Sequence, residues 1–215
     1  PTCISECSGV RVFGRRIKSL VFSTDVAIIK NINADAVIAV YPFTPQPSIT
    51  QAIITVSDVP VFTGVGGGFT NGSRSTSIAA YAEHQGAFGV VCNTLITNDT
   101  IRAIKETVEI PVVFTVVSEH AEIQSRLDAG VDFLNISGAA RTPSIVAAIR
   151  ERYPDIPIIA TGGPTDESIL ETIRTRAGET AEVITFAEAR LTEEVLGVRE
   201  EYLDAALGVV DTEYG

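Results

Sequence analysis

The stretch Pro111–Ser137, PVVFTVVSEHAEIQSRLDAGVDFLNIS, decides the fold class of this chain. It begins with the apolar run Pro111–Val117 and ends with a second run, Asp132–Ser137. Between them, Glu119–Ala129 has apolar residues at helical spacing, and Gly130 is a typical helix-ending residue. Two nearly continuous apolar strands joined by one amphipathic helix are typical of a βαβ unit in a parallel sheet covered on both faces.

The same unit repeats along the chain in both directions. Apolar runs alternate with loops rich in Gly, Pro, Ser and Thr and with amphipathic stretches. The eight runs are Ser19–Ser23, Ala36–Tyr41, Pro60–Val65, Phe88–Cys92, Pro111–Val117, Asp132–Ser137, Pro157–Thr161 and Glu182–Phe186. The predicted helices are Ser75–Gln85, Thr100–Thr107, Glu119–Ala129, Thr142–Arg152, Ser168–Arg174 and Arg190–Ala206.

Eight such units predict an α/β fold, namely a single-domain (β/α)8 TIM barrel over residues 18–215. An open doubly wound sheet is the alternative, but such sheets usually have fewer strands. Residues 1–17 fall outside the pattern, and we expect this segment to cap the bottom of the barrel or to pack against a neighbouring subunit. Thr142 is expected to cap the helix that it begins, with Pro143 in the first turn.

Composition excludes several classes of protein. The chain is 45% hydrophobic and 20% charged, a balance typical of a packed globular domain. Its net charge of −11 and pI near 4.6 disfavour nucleic acid as a partner. Neither a membrane-spanning run nor a secretion signal is visible, which predicts a cytoplasmic protein without a membrane partner. A homodimer is compatible with this size and charge, although no interface motif is visible.

The loop after the third run combines the features of an anion site. It reads GVGGGFTNGSRST from Gly64 to Thr76. Glycines let a backbone approach a ligand closely, and a helix that begins at the end of such a loop offers free N–H groups and partial positive charge. An arginine matches the geometry of phosphate or carboxylate. The predicted ligand-binding residues here are Gly66, Gly67, Gly68, Asn71, Ser73 and Arg74.

The loop after the seventh run, Ile159–Thr165 with sequence IATGGPT, resembles the phosphate loop of the ribulose-phosphate-binding TIM barrels. The resemblance implies that Thr161, Gly162 and Gly163 hold a substrate phosphate. The chain departs from that family after the eighth run, where Glu188 stands in place of a second glycine-rich half of the phosphate cup.

That departure leaves a second location open for the anion. The segment that ends the sixth run and continues beyond it supplies Ser137, Gly138 and Arg141. Asn135 shares the side of Ser137 on that strand, because side chains alternate with a period of two. The anion can therefore lie over Gly138, Arg141 and the loop after the third run.

Two further resemblances bear on function. The order of elements from Ala87 to Phe186 is similar to that of the barrel regulators that act as glycerol-operon antiterminators. The stretch Ala36–Gly72 resembles bacterial barrels loosely labelled hydrolases. Neither resemblance carries a catalytic residue over to this chain.

Candidates for acid–base chemistry are few. Asp25 follows the first run, and Glu119 and His120 follow the fifth; with Asn135 they are the predicted catalytic residues. Asp25 and Glu119 are equally plausible as helix N-terminal acids, and His120 as a capping or solvent-exposed residue. Together the three are a weak signal for a divalent metal, so neither a metal nor a cofactor is predicted.

The remaining nucleophiles and bases are interpreted as structural. None of the three lysines ends a strand, which argues against a Schiff-base aldolase. Cys92 is more plausible as a small core residue than as a nucleophile. Cys3 and Cys7 favour free thiols over a zinc site, and His84 favours a surface position near the barrel bottom.

These features support two hypotheses from different classes. The first is an enzyme of lyase, isomerase or hydrolase type that acts on a small phosphorylated or otherwise anionic metabolite. The second is a catalytically silent barrel that senses such a ligand. The shortage of lysine, histidine and clustered acids supports the second, and fold alone does not decide between them.

Overall fold

The structure, a computed structural model, describes residues 2–161, 165–174 and 182–186. The predicted helix Arg190–Ala206 lies outside these residues. Within them, eight parallel strands close into a barrel in the order β10-β3-β4-β5-β6-β7-β8-β9. The strands are β3 (Ser19–Phe22), β4 (Ala36–Ala39), β5 (Val61–Gly66), β6 (Gly89–Cys92), β7 (Val112–Val116), β8 (Phe133–Ser137), β9 (Ile158–Thr161) and β10 (Glu182–Phe186). All eight predicted runs are thus strands, and the predicted (β/α)8 barrel is confirmed.

Helices connect the strands on the outside of the barrel. They are α1 (Val26–Asn31), α2 (Pro47–Val56), α3 (Ser73–His84), α4 (Asn98–Thr107), α5 (Ile123–Asp128), α6 (Thr142–Arg152) and α7 (Asp166–Arg174). Each strand from β3 to β9 leads into a helix that runs back, and β10 runs parallel to its neighbours, so every strand ends at the same face of the barrel, where these helices begin.

Two predicted features of the helices are wrong in detail. Helix α5 begins at Ile123 rather than at Glu119, because the chain first makes a turn closed by the N–H of Ala121 on the carbonyl of Ser118. Thr142 does not cap α6. It is the first helical residue, and its hydroxyl binds neighbouring backbone instead. The predicted stop at Gly130 is confirmed, with a φ of 109° directly after α5.

Alternation along the strands divides the core into an inner and an outer part. Inward-facing apolar side chains fill the barrel, and they are Leu20, Ala36, Ile38, Phe62, Val91, Val113, Phe133 and Ile159. The outward-facing residues, such as Val90, Phe114 and Leu134, pack against the helices. The strands read as continuous apolar runs because both of their faces are buried.

The amino end of the barrel is closed by the N-terminal segment. After a short 3₁₀ helix (Thr2–Glu6), strands β1 (Val10–Val12) and β2 (Arg15–Ile17) form an antiparallel hairpin. Val10, Val12 and Ile17 of this hairpin belong to the same apolar cluster as the residues inside the barrel. Phe13 at its tip contacts the ring of Phe88 edge-on, with ring centroids 5.3 Å apart. The hairpin therefore leaves the carboxyl ends of the strands as the open end of the barrel.

No helix in the described ranges is long and apolar enough to cross a bilayer.

Candidate functional site

Three polar side chains interrupt the apolar interior where the strands end. Thr115 of β7, Asn135 of β8 and Thr161 of β9 each lie two residues beyond an inward-facing apolar residue, so they share the inner face. The hydroxyl of Thr161 donates to Oδ1 of Asn135 at 2.5 Å. Nδ2 of Asn135 donates to Oγ1 of Thr115 at 3.3 Å. We call these three residues the polar row.

The polar row places a satisfied amide at an otherwise apolar position. Asn135 is 4% exposed, and a buried amide without partners would cost free energy of unfolding. Both ends of the amide group have a partner in the row, so the side chain is held in one orientation. Thr115 and Thr161 are half-buried and remain open to the mouth of the barrel, the space above the row.

A hydroxyl ties the loop after β8 to the end of β9. Oγ1 of Thr142 accepts from the N–H of Gly138 at 3.1 Å and donates to the carbonyl of Thr161 at 3.1 Å. The N–H of Arg141 donates to the carbonyl of Gly138 at 3.0 Å, which closes a turn at the start of α6. This arrangement fixes the backbone from which the Arg141 side chain extends.

Charged side chains surround the mouth beyond the row. Oε2 of Glu119 is 3.8 Å from a guanidinium nitrogen of Arg141, and Oε1 of Glu119 is 3.8 Å from Nε2 of His120. The side chains of Arg141 and His120 are 63% and 87% exposed. Because such exposed pairs are weak, neither the guanidinium of Arg141 nor the carboxylate of Glu119 is held firmly by this contact.

The glycine loop, Gly66–Gly72, follows β5 and has backbone angles that only glycine adopts easily. Gly66, Gly67 and Gly68 have φ values of 113°, 112° and 150°. A Cβ on Gly67 would lie 2.8 Å from the carbonyl oxygen of Asn93. The N–H of Asn93 donates to the carbonyl of Gly66 at 2.8 Å, so this loop packs on the end of β6.

Asn71, a predicted ligand residue of the glycine loop, has structural partners. Oδ1 of Asn71 accepts from the hydroxyl of Thr100 at 2.7 Å and from the N–H of Gly72 at 3.1 Å. Gly72 precedes α3 and offers no side-chain cap, so the first N–H groups of α3 depend on solvent or a ligand. Ser73 and Arg74, in that first turn, are exposed.

A shallow groove of about 410 Å³ lies outside the barrel, between the first turns of α3 and α4. It is lined by Gly72, Ser73, Thr76, Ser77, Asp99, Thr100 and Ala103. Asp99 lines this groove, and its carboxylate is paired with the guanidinium of Arg102 at 2.7 Å.

The structure does not bring Asp25 into a metal site. Oδ1 of Asp25 accepts from the N–H groups of Ala27 and Ile28, at 2.8 and 3.1 Å, and thereby caps α1. Within the described ranges, no three His, Cys, Asp or Glu side chains are close enough to share one metal ion. The alternative that Asp25, Glu119 and His120 hold a metal together therefore has no support in the geometry.

The lysines and the cysteines lie away from the mouth. Nζ of Lys18, Lys30 and Lys105 binds the carbonyl of Ser5 and the carboxylates of Asp58 and Asp132, respectively. Cys3, Cys7 and Cys92 are free thiols. Burial raises the pKa of the Cys92 thiol to about 12, so this group is protonated at neutral pH and unsuited to nucleophilic attack.

Of the predicted phosphate-loop residues, Thr161 lies in the polar row, whereas Gly162, Gly163 and the neighbouring Glu188 lie outside the described residues. Sequence reasoning missed Thr115 and the true role of Thr142. Thr115 could have been predicted from the sequence, since it is a polar residue two positions beyond Val113 and therefore on the same, inward face of the strand. The sequence carries no such signal for the bond of Thr142 to Thr161, because that partner is 19 residues away in the chain.

The fold and the site define the class of this protein: a TIM barrel with a polar, partly charged mouth at the carboxyl ends of its strands. No family model matches the sequence, and no curated protein matches it. Solved structures with a similar fold do exist. One, a candidate phosphonomutase from Burkholderia cenocepacia J2315, has a TM-score of 0.65 and 16% identity, with 88% of this chain and 93% of that chain covered.

Two further structures differ in the activity that their names give. A phosphonopyruvate hydrolase, solved with oxalate and Mg²⁺, has a TM-score of 0.63 and 15% identity, with 93% of this chain and 87% of that chain covered. A 3-hexulose-6-phosphate synthase has a TM-score of 0.63 and 15% identity, with 87% and 98% covered. At such identities the likeness shows the barrel fold. The resemblance to ribulose-phosphate-binding barrels is therefore supported at the level of the fold alone.

Proposed function

We propose that this protein is an enzyme that binds a small oxyanion, phosphorylated or carboxylated, at the mouth of the barrel and acts on it by lyase, isomerase or hydrolase chemistry. The observation that carries the proposal is the polar row at the carboxyl ends of β7, β8 and β9, with Arg141 in the segment that follows β8. A hydrogen-bonded row of Thr115, Asn135 and Thr161 in an otherwise apolar interior has a cost in stability that a packed core alone would avoid.

The charges around the mouth fit this role. The net charge of the chain is −11, so an anion needs a local cation to be held. Arg141 offers a guanidinium from a fixed turn, and its fork of donors matches phosphate or carboxylate. Arg74 and the glycine loop are a second source of donors at the same face of the barrel.

Glu119 is the best placed general base among the predicted catalytic residues. Its carboxylate lies beside Arg141 and His120 at the rim, and it is 39% exposed. A ligand anion that engages Arg141 would displace the weak pair and leave the carboxylate free to take a proton. Asn135 then acts as an orienting residue, because its amide is held within the row.

The similar structures support the chemical class. Phosphonopyruvate hydrolase and 3-hexulose-6-phosphate synthase are named after a phosphonate and a phosphate compound, and the former was solved with oxalate. Active sites of TIM barrels lie at the carboxyl ends of the strands, which is where the row and Arg141 are found.

A second candidate is a barrel that senses such an anion without turnover. This candidate is favoured by the hydrogen bonding of one predicted catalytic residue, Asp25, and by the exposure of another, His120. Asp25 is engaged in capping α1, and the side chain of His120 is 87% exposed. Neither position is pre-organised for proton transfer.

Thermal-shift measurements with inorganic phosphate, oxalate and a panel of sugar and triose phosphates test the proposal. We expect a shift of several degrees with one of these compounds, lost in Arg141→Ala and retained in Arg174→Ala, which removes the same charge at the far end of α7. The absence of any shift would refute the anion site. Turnover of the bound compound that disappears in Glu119→Gln, with binding retained, separates the enzyme from the sensor.

A further inference from the structure

We infer that Thr115 is the hydrogen-bond donor that orients the oxyanion ligand in the mouth of the barrel. This inference rests on the proposed function and assigns a role to a residue that sequence patterns did not single out. It follows from the direction of the hydrogen bonds in the polar row.

The direction of the hydrogen bonds in the polar row is set at Thr161. Its hydroxyl oxygen is 2.5 Å from Oδ1 of Asn135, shorter than a normal hydrogen bond. The amide oxygen can only accept, and the amide nitrogen, which is 3.3 Å from Oγ1 of Thr115, can only donate. The hydroxyl of Thr161 therefore supplies a hydrogen to the carbonyl oxygen of the amide. The NH₂ group of Asn135 must then point towards Thr115.

Oγ1 of Thr115 accepts a hydrogen bond from Asn135, which leaves the hydroxyl hydrogen of Thr115 to be donated elsewhere. A threonine hydroxyl has one hydrogen to donate and two lone pairs. One lone pair is used by Nδ2 of Asn135, and within the described ranges no acceptor takes the hydroxyl hydrogen. An oriented hydroxyl with an unused hydrogen is suited to a ligand oxygen.

The surroundings leave one direction for that hydrogen. Towards the amino end the inner face continues with Val113 and Phe133, which offer no acceptor side chains. Asn135 closes the side towards β8. Thr115 is half-buried, and among the described residues the direction left open is towards the mouth. Glu119 and Arg141 belong to the loops that follow β7 and β8, and their charged groups are 3.8 Å apart.

The chemistry of the ligand follows from the donors. A hydroxyl hydrogen and a guanidinium both require acceptor oxygens, and together they favour a group that presents at least two, one of them charged. Carboxylate and phosphate share this property. We therefore assign to the mouth an oxyanion with one oxygen on Thr115 and another on Arg141.

Binding of oxalate and of inorganic phosphate, measured by titration calorimetry well below the melting temperature, tests this assignment. For whichever probe binds, Thr115→Val is expected to weaken binding about tenfold or more, since the lost bond has a charged acceptor. Thr115→Ser, which keeps the hydroxyl, is expected to stay within about twofold of the wild type. Thr172→Val removes a buried hydroxyl of α7 and controls for the substitution itself.

Each outcome has one meaning. The donor role of Thr115 is supported if probe binding is weakened in Thr115→Val, retained in Thr115→Ser and unchanged in Thr172→Val. The probe that binds then shows whether the ligand group is a carboxylate or a phosphate. Equal binding by Thr115→Val and the wild type, with loss in Arg141→Ala, leaves the anion site standing and overturns the role of Thr115. Equal loss in the Val and Ser variants overturns it also. No binding of either probe by the wild type refutes the proposed function together with this inference.

Discussion

Gly67→Ala, compared with Gly68→Ala, tests whether the glycine loop is packed as closely on strand β6 as the structure indicates. Both glycines have positive φ, 112° and 150°, so each variant forces alanine into a conformation that it rarely adopts. Their surroundings differ. A Cβ on Gly67 would lie 2.8–2.9 Å from three atoms of Asn93, two of them backbone, whereas a Cβ on Gly68 has nothing within 4 Å.

The difference between the variants isolates the steric contribution. Backbone strain of this kind costs about 1–3 kcal/mol in the free energy of unfolding, and both variants share it. The close contact with the Asn93 backbone adds about 1–3 kcal/mol in Gly67→Ala, as overpacking does elsewhere. For a chain of this size each kcal/mol lowers the melting temperature by about 2–4 °C. Gly67→Ala should therefore melt about 2–12 °C below Gly68→Ala.

Thermal melts followed by circular dichroism, with urea unfolding as a second measurement, give this comparison directly. The m-values should agree, so that a change in midpoint reports stability. Equal melting temperatures for the two variants would refute the reasoning, because they would show that the loop does not lie against Asn93 or moves away at no cost. A Gly68→Ala variant that melts lower than Gly67→Ala would contradict it more strongly.

Two further predictions concern Asp25 and Cys92. Asp25→Ala should lower the free energy of unfolding by about 1 kcal/mol, because the α1 cap is lost. Asp25→Asn should lose little stability, because asparagine also caps helices. Loss of turnover in a stable Asp25→Asn variant would instead show a catalytic role. Because burial raises the pKa of Cys92 to about 12 from an ordinary 9.0, the unfolded chain releases this proton first, and stability should fall as pH rises between these values. Urea midpoints across that range should fall less steeply in Cys92→Ala, and an unchanged slope would contradict the prediction.

The barrel was predictable because its signal is local and repeated. Every predicted apolar run became a strand, since a strand buried on both faces requires nearly every residue to be apolar. Boundaries were less predictable. The start of α5 moved from Glu119 to Ile123, because a turn held by its own backbone bonds competes with the first turn of a helix over the same residues.

The candidate site was predictable only in part. Asn135 was predicted from its alternation with Ser137, Thr161 from the resemblance of its loop to a phosphate loop, and Arg141 from its place after the sixth run; the structure places Asn135 and Thr161 in contact. Their partners were not visible. Thr115 and Asn135 are 20 residues apart, and Asn135 and Thr161 are 26 apart, so only the pairing of β7 with β8 and of β8 with β9 brings them into contact.

The sequence by itself determined the class of fold and the face at which every strand ends, because alternation of strand and helix sets the direction of every strand. Only the tertiary structure decided that Asp25 caps a helix, that Asn71 holds a loop, and that Thr115 has a hydrogen to donate. Those roles depend on hydrogen bonds between groups far apart in the chain, and the registers of neighbouring strands, not local patterns, determine which groups meet.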